Sequence, residues 1–126
     1  MNKKKAIYYE NSKGEKPVEE FINSLDVKIR AKLLARIEFL EEHWHELRRP
    51  LIDIVEDDLW ELRVQFAKNK IRVIYVYMFK DCIVLLHSFI KTTGPIPEND
   101  KLLAKKRMID FQIQFNAGKL KLKKIE

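Results

Sequence analysis

Four cationic side chains stand out because each lies inside a run of apolar and aromatic residues: Arg63 within 59–66, Arg72 within 71–79, and His87 and Lys91 within 82–91. A cation in such a run costs free energy unless the site uses it or its head can reach water. Arginine grips a phosphate through a bidentate fork, lysine acts as a point charge, and histidine moves protons near neutral pH. Converging from neighbouring strands, the four would suit a phosphodiester. Lys68 and Lys70 add positive charge to the same stretch. Tyr75 and Tyr77 are either core rings or platforms for a base, and Tyr75 is the candidate RNA contact.

These residues need a scaffold that brings strands side by side. The three runs are separated only by Ala67 to Lys70 and by Lys80-Asp81, so they read as an antiparallel meander of hairpins. Strand alternation puts Trp60, Leu62, Val64 and Phe66 on one face, with Glu61, Arg63 and Gln65 on the other. It groups Arg72 with Ile74, Val76 and Met78, and it groups His87, Phe89 and Lys91 with Ile83 and Leu85.

Charge is distributed to match. The net charge is +6, which favours polyanionic partners, nucleic acid first. Five acids and no base lie between Asp53 and Glu61, whereas five bases and no acid lie from Leu62 through Lys80.

Other chemistries lack their residues. There is no Gly-rich phosphate loop, no zinc-ligand spacing and no nucleophile motif, so neither a metal nor a cofactor is expected. His43 and His45, two residues apart, do not share a helix face. Cys82 reads as a small buried residue. No apolar run approaches the roughly 20 residues of a membrane span, and no secretory leader is visible, which fits a cytoplasmic protein.

Around the meander the chain reads as one domain, residues 1–118, followed by a basic tail, 119–126. Lys4 to Tyr9 suits an edge strand. Pro17 opens a helix with Val18, Phe21, Ile22 and Leu25 on its apolar face. A second helix spans Val27 to Trp44, with Leu33, Ile37, Leu40 and Trp44 as its buried stripe; Lys32 and Arg36 fall among its polar positions. Leu51 to Asp58 is expected as a connector. Pro97 to Asp100 opens a last helix, Lys101 to about Asn116, stopped by Gly118. The fold class is therefore α+β: N-terminal helices on a small antiparallel sheet, with a C-terminal helix.

Several short stretches also occur in an order that resembles a known family. They are Leu59-Trp60-Glu61-Leu62-Arg63, Arg72-Val73-Ile74-Tyr75, Leu86-His87-Ser88-Phe89-Ile90-Lys91-Thr92, Pro97, and Ala104 through Phe111, with Gly14 to Phe21 ahead of them. Together they resemble the RelE/HigB superfamily of type II toxins, in its phage-derived HigB-like branch. The resemblance implies a RelE-like fold and a ribosome-dependent mRNA endoribonuclease that needs no metal: the RNA 2′-hydroxyl attacks the adjacent phosphate. It implies that Arg72 stabilises charge on the scissile phosphate and that Arg63 binds phosphate or supports Arg72. His87 or Lys91 would transfer the proton, and Lys68 and Lys70 would contact RNA. Thr92 and Asp58 depart from the family pattern, which commonly has lysine and glycine there.

The implied partners are the ribosome, mRNA and an antitoxin of helix-turn-helix, HigA-like type, with operator DNA reached only through the toxin–antitoxin complex. The rival expectation is a non-catalytic module that uses the same basic sheet to hold nucleic acid or protein. A third is a toxin-like relic without activity.

Overall fold

The computed structural model describes residues 3–91 and 94–118; the expected basic tail and Thr92 lie outside them. In chain order the elements are β1 (Lys5–Tyr8), α1 (Pro17–Ser24), α2 (Val27–His43), β2 (Ile52–Glu56), β3 (Leu59–Phe66), β4 (Asn69–Met78), β5 (Cys82–Lys91) and α3 (Glu98–Asn116). The five strands form one sheet in the order β1-β5-β4-β3-β2.

The α+β expectation holds, and the meander forms as three antiparallel strands. Two features differ from the sequence reading. The segment read as a connector contains β2, which pairs with β3 through Ile52↔Leu62, Asp53↔Glu61 and Ile54↔Trp60. It lacked the pattern of a half-buried strand because Ile54 faces solvent while Asp53 is engaged by arginines. The sheet is also mixed: β1 lies at an edge, as expected, but runs parallel to β5. Backbone hydrogen bonds continue past that pairing, from Lys5 N to Asp81 O and from Tyr9 N to Leu85 O.

Each face of the sheet has its own core. On one side α1 and α2 bury Val18, Ile22, Leu33, Ile37 and Leu40 against Leu62, Val64, Val73, Tyr75 and Leu85. The four-three spacing of Leu33, Ile37 and Leu40 is what gives α2 this seam. On the other side α3 buries Ala104 and Phe111 against Leu59, Ile74, Val76, Val84 and Leu86. Cys82, the first residue of β5, is buried as expected. Glu41, buried on α2, accepts the Ala6 N–H at 2.7 Å and so fixes β1 to the helix layer.

α3 starts at Glu98, three residues earlier than the sequence reading placed it, and leaves Leu102, Ile109 and Ile113 exposed. No helix among the described residues is long and apolar enough to cross a membrane.

Candidate functional site

Register decides where the cations go. Arg63 on β3 pairs directly with Arg72 on β4, and Arg72 pairs with Phe89 on β5. Two positions along, Gln65 pairs with Lys70, and Lys70 pairs with Lys91. Side chains two apart on a strand share a face, so Arg63, Lys70, Arg72 and Lys91 lie on one face at one end of the sheet. Like charges placed directly opposite each other are destabilising. This sheet contains two such pairs in succession.

His87 and Lys91 reach this face because of an irregularity in β5. Ile74 pairs with His87, but its neighbour Tyr75 pairs with Leu85, so Leu86 is an extra residue in the ladder. A bulge of this kind reverses the alternation beyond it. His87, Phe89 and Lys91 consequently face with Val84 and Leu86, towards α3. The expected grouping with Ile83 and Leu85, which pack under α1 and α2, is corrected on this point.

Electrostatics at the arginine pair centres on Glu61. Its carboxylate is buried, accepts a hydrogen bond from Arg63 Nε, and lies 3.6 Å from Arg72 Nε. Arg63 Nη2 also donates to Asp53 Oδ2 at 3.0 Å, and Arg49 Nε reaches Asp53 Oδ1 at 2.9 Å. Arginine binding on both sides holds the Asp53 carboxyl below its ordinary value. The Arg72 side chain is only 13% exposed. Burial lowers its pKa and Arg63 adds to the effect, while Glu61 opposes it. Arg72 keeps its charge, as arginines in proteins do. Its Nη1 donates to Ile71 O at 3.2 Å, and its buried Nε has no hydrogen-bond partner among the described residues.

His87 is engaged with α3. Its Nε2 lies 2.6 Å from Asp100 Oδ1, its Nδ1 lies 3.4 Å from Arg107 Nη1, and its ring stacks on Phe89. Burial lowers its pKa, Arg107 pushes the same way, and Asp100 opposes both. The arrangement fits a neutral ring that donates from Nε2 to Asp100 and accepts at Nδ1 from Arg107. Arg107 also donates to Leu86 O at 2.8 Å, so it ties α3 to the bulge itself.

Lys91 is partly exposed beside Lys70, and neither forms an ion pair among the described residues. Lys68 is exposed on the β3–β4 turn, where Ala67 adopts a left-handed conformation (φ 55°). Tyr75 is corrected: it is 0% exposed in the core beneath α1 and α2, where it has no surface to offer a base.

Where β2 stops, a cleft of about 340 Å³ opens beside β3. Its walls are Lys32 and Arg36 of α2, Pro50, Leu51, and Arg63, Val64, Gln65, Lys70 and Arg72 of the sheet. Five lining residues are cationic and none is acidic. Of the residues singled out in the sequence, the cleft gathers Arg63, Lys70 and Arg72; His87 sits under α3.

Sequence reasoning missed Glu61, Lys32, Arg36, Asp100 and Arg107. Glu61 was visible as the residue sharing a strand face with Arg63 (i, i+2). Lys32 and Arg36 look like any solvated helix charge until β3 is placed beside them. Among the described residues no group of three or more His, Cys, Asp or Glu side chains is arranged to hold a metal ion.

Comparison with known proteins adds one finding. A search of the curated proteins gave no match. The model of the phage-derived protein Gp49-like family (DUF891) matches residues 20–109, which span α2, β2 to β5 and the arginine pair. That stretch is well over half of the chain, so the protein belongs to the Gp49-like family of phage-derived, type II toxin-like proteins.

Proposed function

We propose that the protein is the toxin of a type II toxin–antitoxin pair and acts in the cytoplasm as a ribosome-dependent mRNA endoribonuclease. The observation that carries this reading is the stacking of two like-charged cross-strand pairs, Arg63↔Arg72 and Lys70↔Lys91, beside a cleft whose charged lining residues are all cationic. Such a surface lowers its free energy by taking up a polyanion. Membership of a phage-derived, toxin-like family fits a toxin, and the resemblance to RelE/HigB toxins favours RNA as the polyanion.

In the proposed reaction the 2′-oxygen forms a bond to the adjacent phosphorus and the bond from phosphorus to the 5′-oxygen breaks. The products are a cyclic phosphate and a free 5′-hydroxyl. Arg72, assisted by Arg63, stabilises the charge that builds on the phosphoryl oxygens. Lys91 is the better placed of the two proton-transfer candidates, since His87 has both ring nitrogens occupied by α3. Lys68 and Lys70 hold flanking phosphates. A separately encoded antitoxin of helix-turn-helix type would cover the basic surface, with operator DNA bound only by the complex.

Replacing Arg72 with alanine tests the reading. Loss of one preorganised donor of this kind lowers turnover by about 100- to 1000-fold. Growth arrest on induction should disappear while the protein stays folded. Arrest by folded Arg72→Ala at the wild-type level would overturn the proposal.

The occupation of both His87 nitrogens favours a second reading, a basic module that binds RNA without cutting it. Primer extension on cellular mRNA after induction separates the two: discrete new 5′ ends support cleavage, and their absence supports binding alone.

A further inference from the structure

The cleft beside β3 is lined from two layers of the fold, and only one layer belongs to the meander. β2 pairs with β3 no further than Leu62, whereas β3 continues to Phe66. One further backbone bond, from Arg63 N to Leu51 O, closes the covered part of that edge. Beyond it no strand among the described residues lies beside β3 on that side, and α2 side chains reach the edge from the opposite face. Lys32 Nζ donates to Gln65 O and sits 5.7 Å from the centre of the Phe66 ring, which fixes the lysine at the strand edge. Arg36 lies four residues on, one helical turn away on the same side of α2. It has no ion pair among the described residues.

We propose that Lys32 and Arg36, with Lys70, form a second phosphate subsite, which holds single-stranded RNA next to the phosphate gripped by Arg63 and Arg72 and leads its backbone over the free edge of β3. This rests on the RNA reading of the site, but not on cleavage. Glu61 and Asp53 already neutralise part of the arginine pair, whereas the α2 side of the cleft has no carboxylate in its lining. Pro50, Leu51 and Val64 give the cleft an apolar wall that cannot compete for the cations. Point-charge contacts to a backbone carry no base preference, so this subsite adds affinity and register, not sequence choice.

The test is the salt dependence of binding of an oligouridylate to the full chain, read by fluorescence anisotropy from about 50 to 200 mM salt. Each lost phosphate contact lowers the slope of log K against log salt by about 0.7 for a single strand. Arg36→Ala should therefore lose about 0.7, and Lys32→Ala with Arg36→Ala about 1.4. Lys13→Ala, an exposed charge in the turn before α1, should lose nothing. If the double variant keeps the wild-type slope while Lys70→Ala reduces it, the subsite falls and the nuclease proposal stands. If induction of the wild-type protein yields no new mRNA 5′ ends in cells yet the α2 pair still lowers the slope, the subsite stands and the nuclease proposal falls. Displacement of the RNA by polyglutamate of equal charge as effectively as by RNA would overturn the assignment to RNA.

Discussion

Replacing Glu61 with glutamine would remove one negative charge and almost no volume from the point where the two arginines meet. The carboxylate lies 3.6 Å from Arg72 Nε. At the effective dielectric of about 20 that describes most protein sites, that attraction amounts to about 4–5 kcal/mol. The desolvation cost of Glu61 vanishes with its charge and offsets part of this. Arg63 keeps Asp53 at 3.0 Å. A net loss of about 3 kcal/mol remains, at the low end for removing one member of a buried ion pair. For a domain of this size that corresponds to a fall in Tm of about 12 °C. Urea unfolding at low salt measures it directly. High salt should restore part of the loss, because Arg63 is about one third exposed (32%) and open to screening. The folded fraction of Glu61→Gln should also bind oligouridylate more tightly than wild type, since Arg72 no longer shares its charge with a resident anion. Stability within about 0.5 kcal/mol of wild type, a shift typical of an ordinary surface change, would refute the reasoning.

Other perturbations probe the attachment of α3 and the core. Because burial holds the His87 pKa below its ordinary 6.5, the folded state binds fewer protons than the unfolded chain as pH falls. Its contribution to stability is therefore full above about pH 6.5 and is lost below it; His87→Gln should flatten the stability profile between about pH 7 and 5, as read by urea unfolding. An unchanged profile would show that another group sets it. Tyr9 OH donates to Asp110 Oδ2 at 2.5 Å, and Gln114 Nε2 donates to the same oxygen at 2.6 Å. Tyr9→Phe should cost about 1.5–3 kcal/mol, the usual worth of a hydrogen bond to a charged group, measured by thermal unfolding. Leu62→Ala, beneath α2 at 1% exposure, should cost about 2–5 kcal/mol in the same assay without altering the RNA salt slope.

Much of the fold was legible because its signals are local. Pro17 starts α1, the Leu33, Ile37 and Leu40 spacing marks the buried seam of α2, and short turns separate the three meander strands. What escaped depends on partners distant in sequence. β2 looked like a connector because its Asp53 is satisfied by Arg63, ten residues away. The direction of β1 depends on β5, which no property of Lys5 to Tyr8 encodes. Leu86 is indistinguishable from its neighbours in sequence, yet as the bulge residue it decides which face His87 and Lys91 share. The candidate arginines were found because charges inside apolar strands are conspicuous. Lys32 and Arg36 were passed over because charges on a helix are not. Tyr75 was misplaced because aromatic residues on a strand look alike whether they face a base or a core.

The parallel pairing of β1 with β5 bears on how the chain is made. Cys82 leaves the ribosome 77 residues after its partner Lys5 (82 − 5). During synthesis the first strand therefore has no place in the sheet, and contacts this distant are among the slowest to form. On this ground β1 is expected to dock last, completing an already paired β2-β3-β4-β5 ribbon. Until then the nascent chain carries an open strand edge along β5.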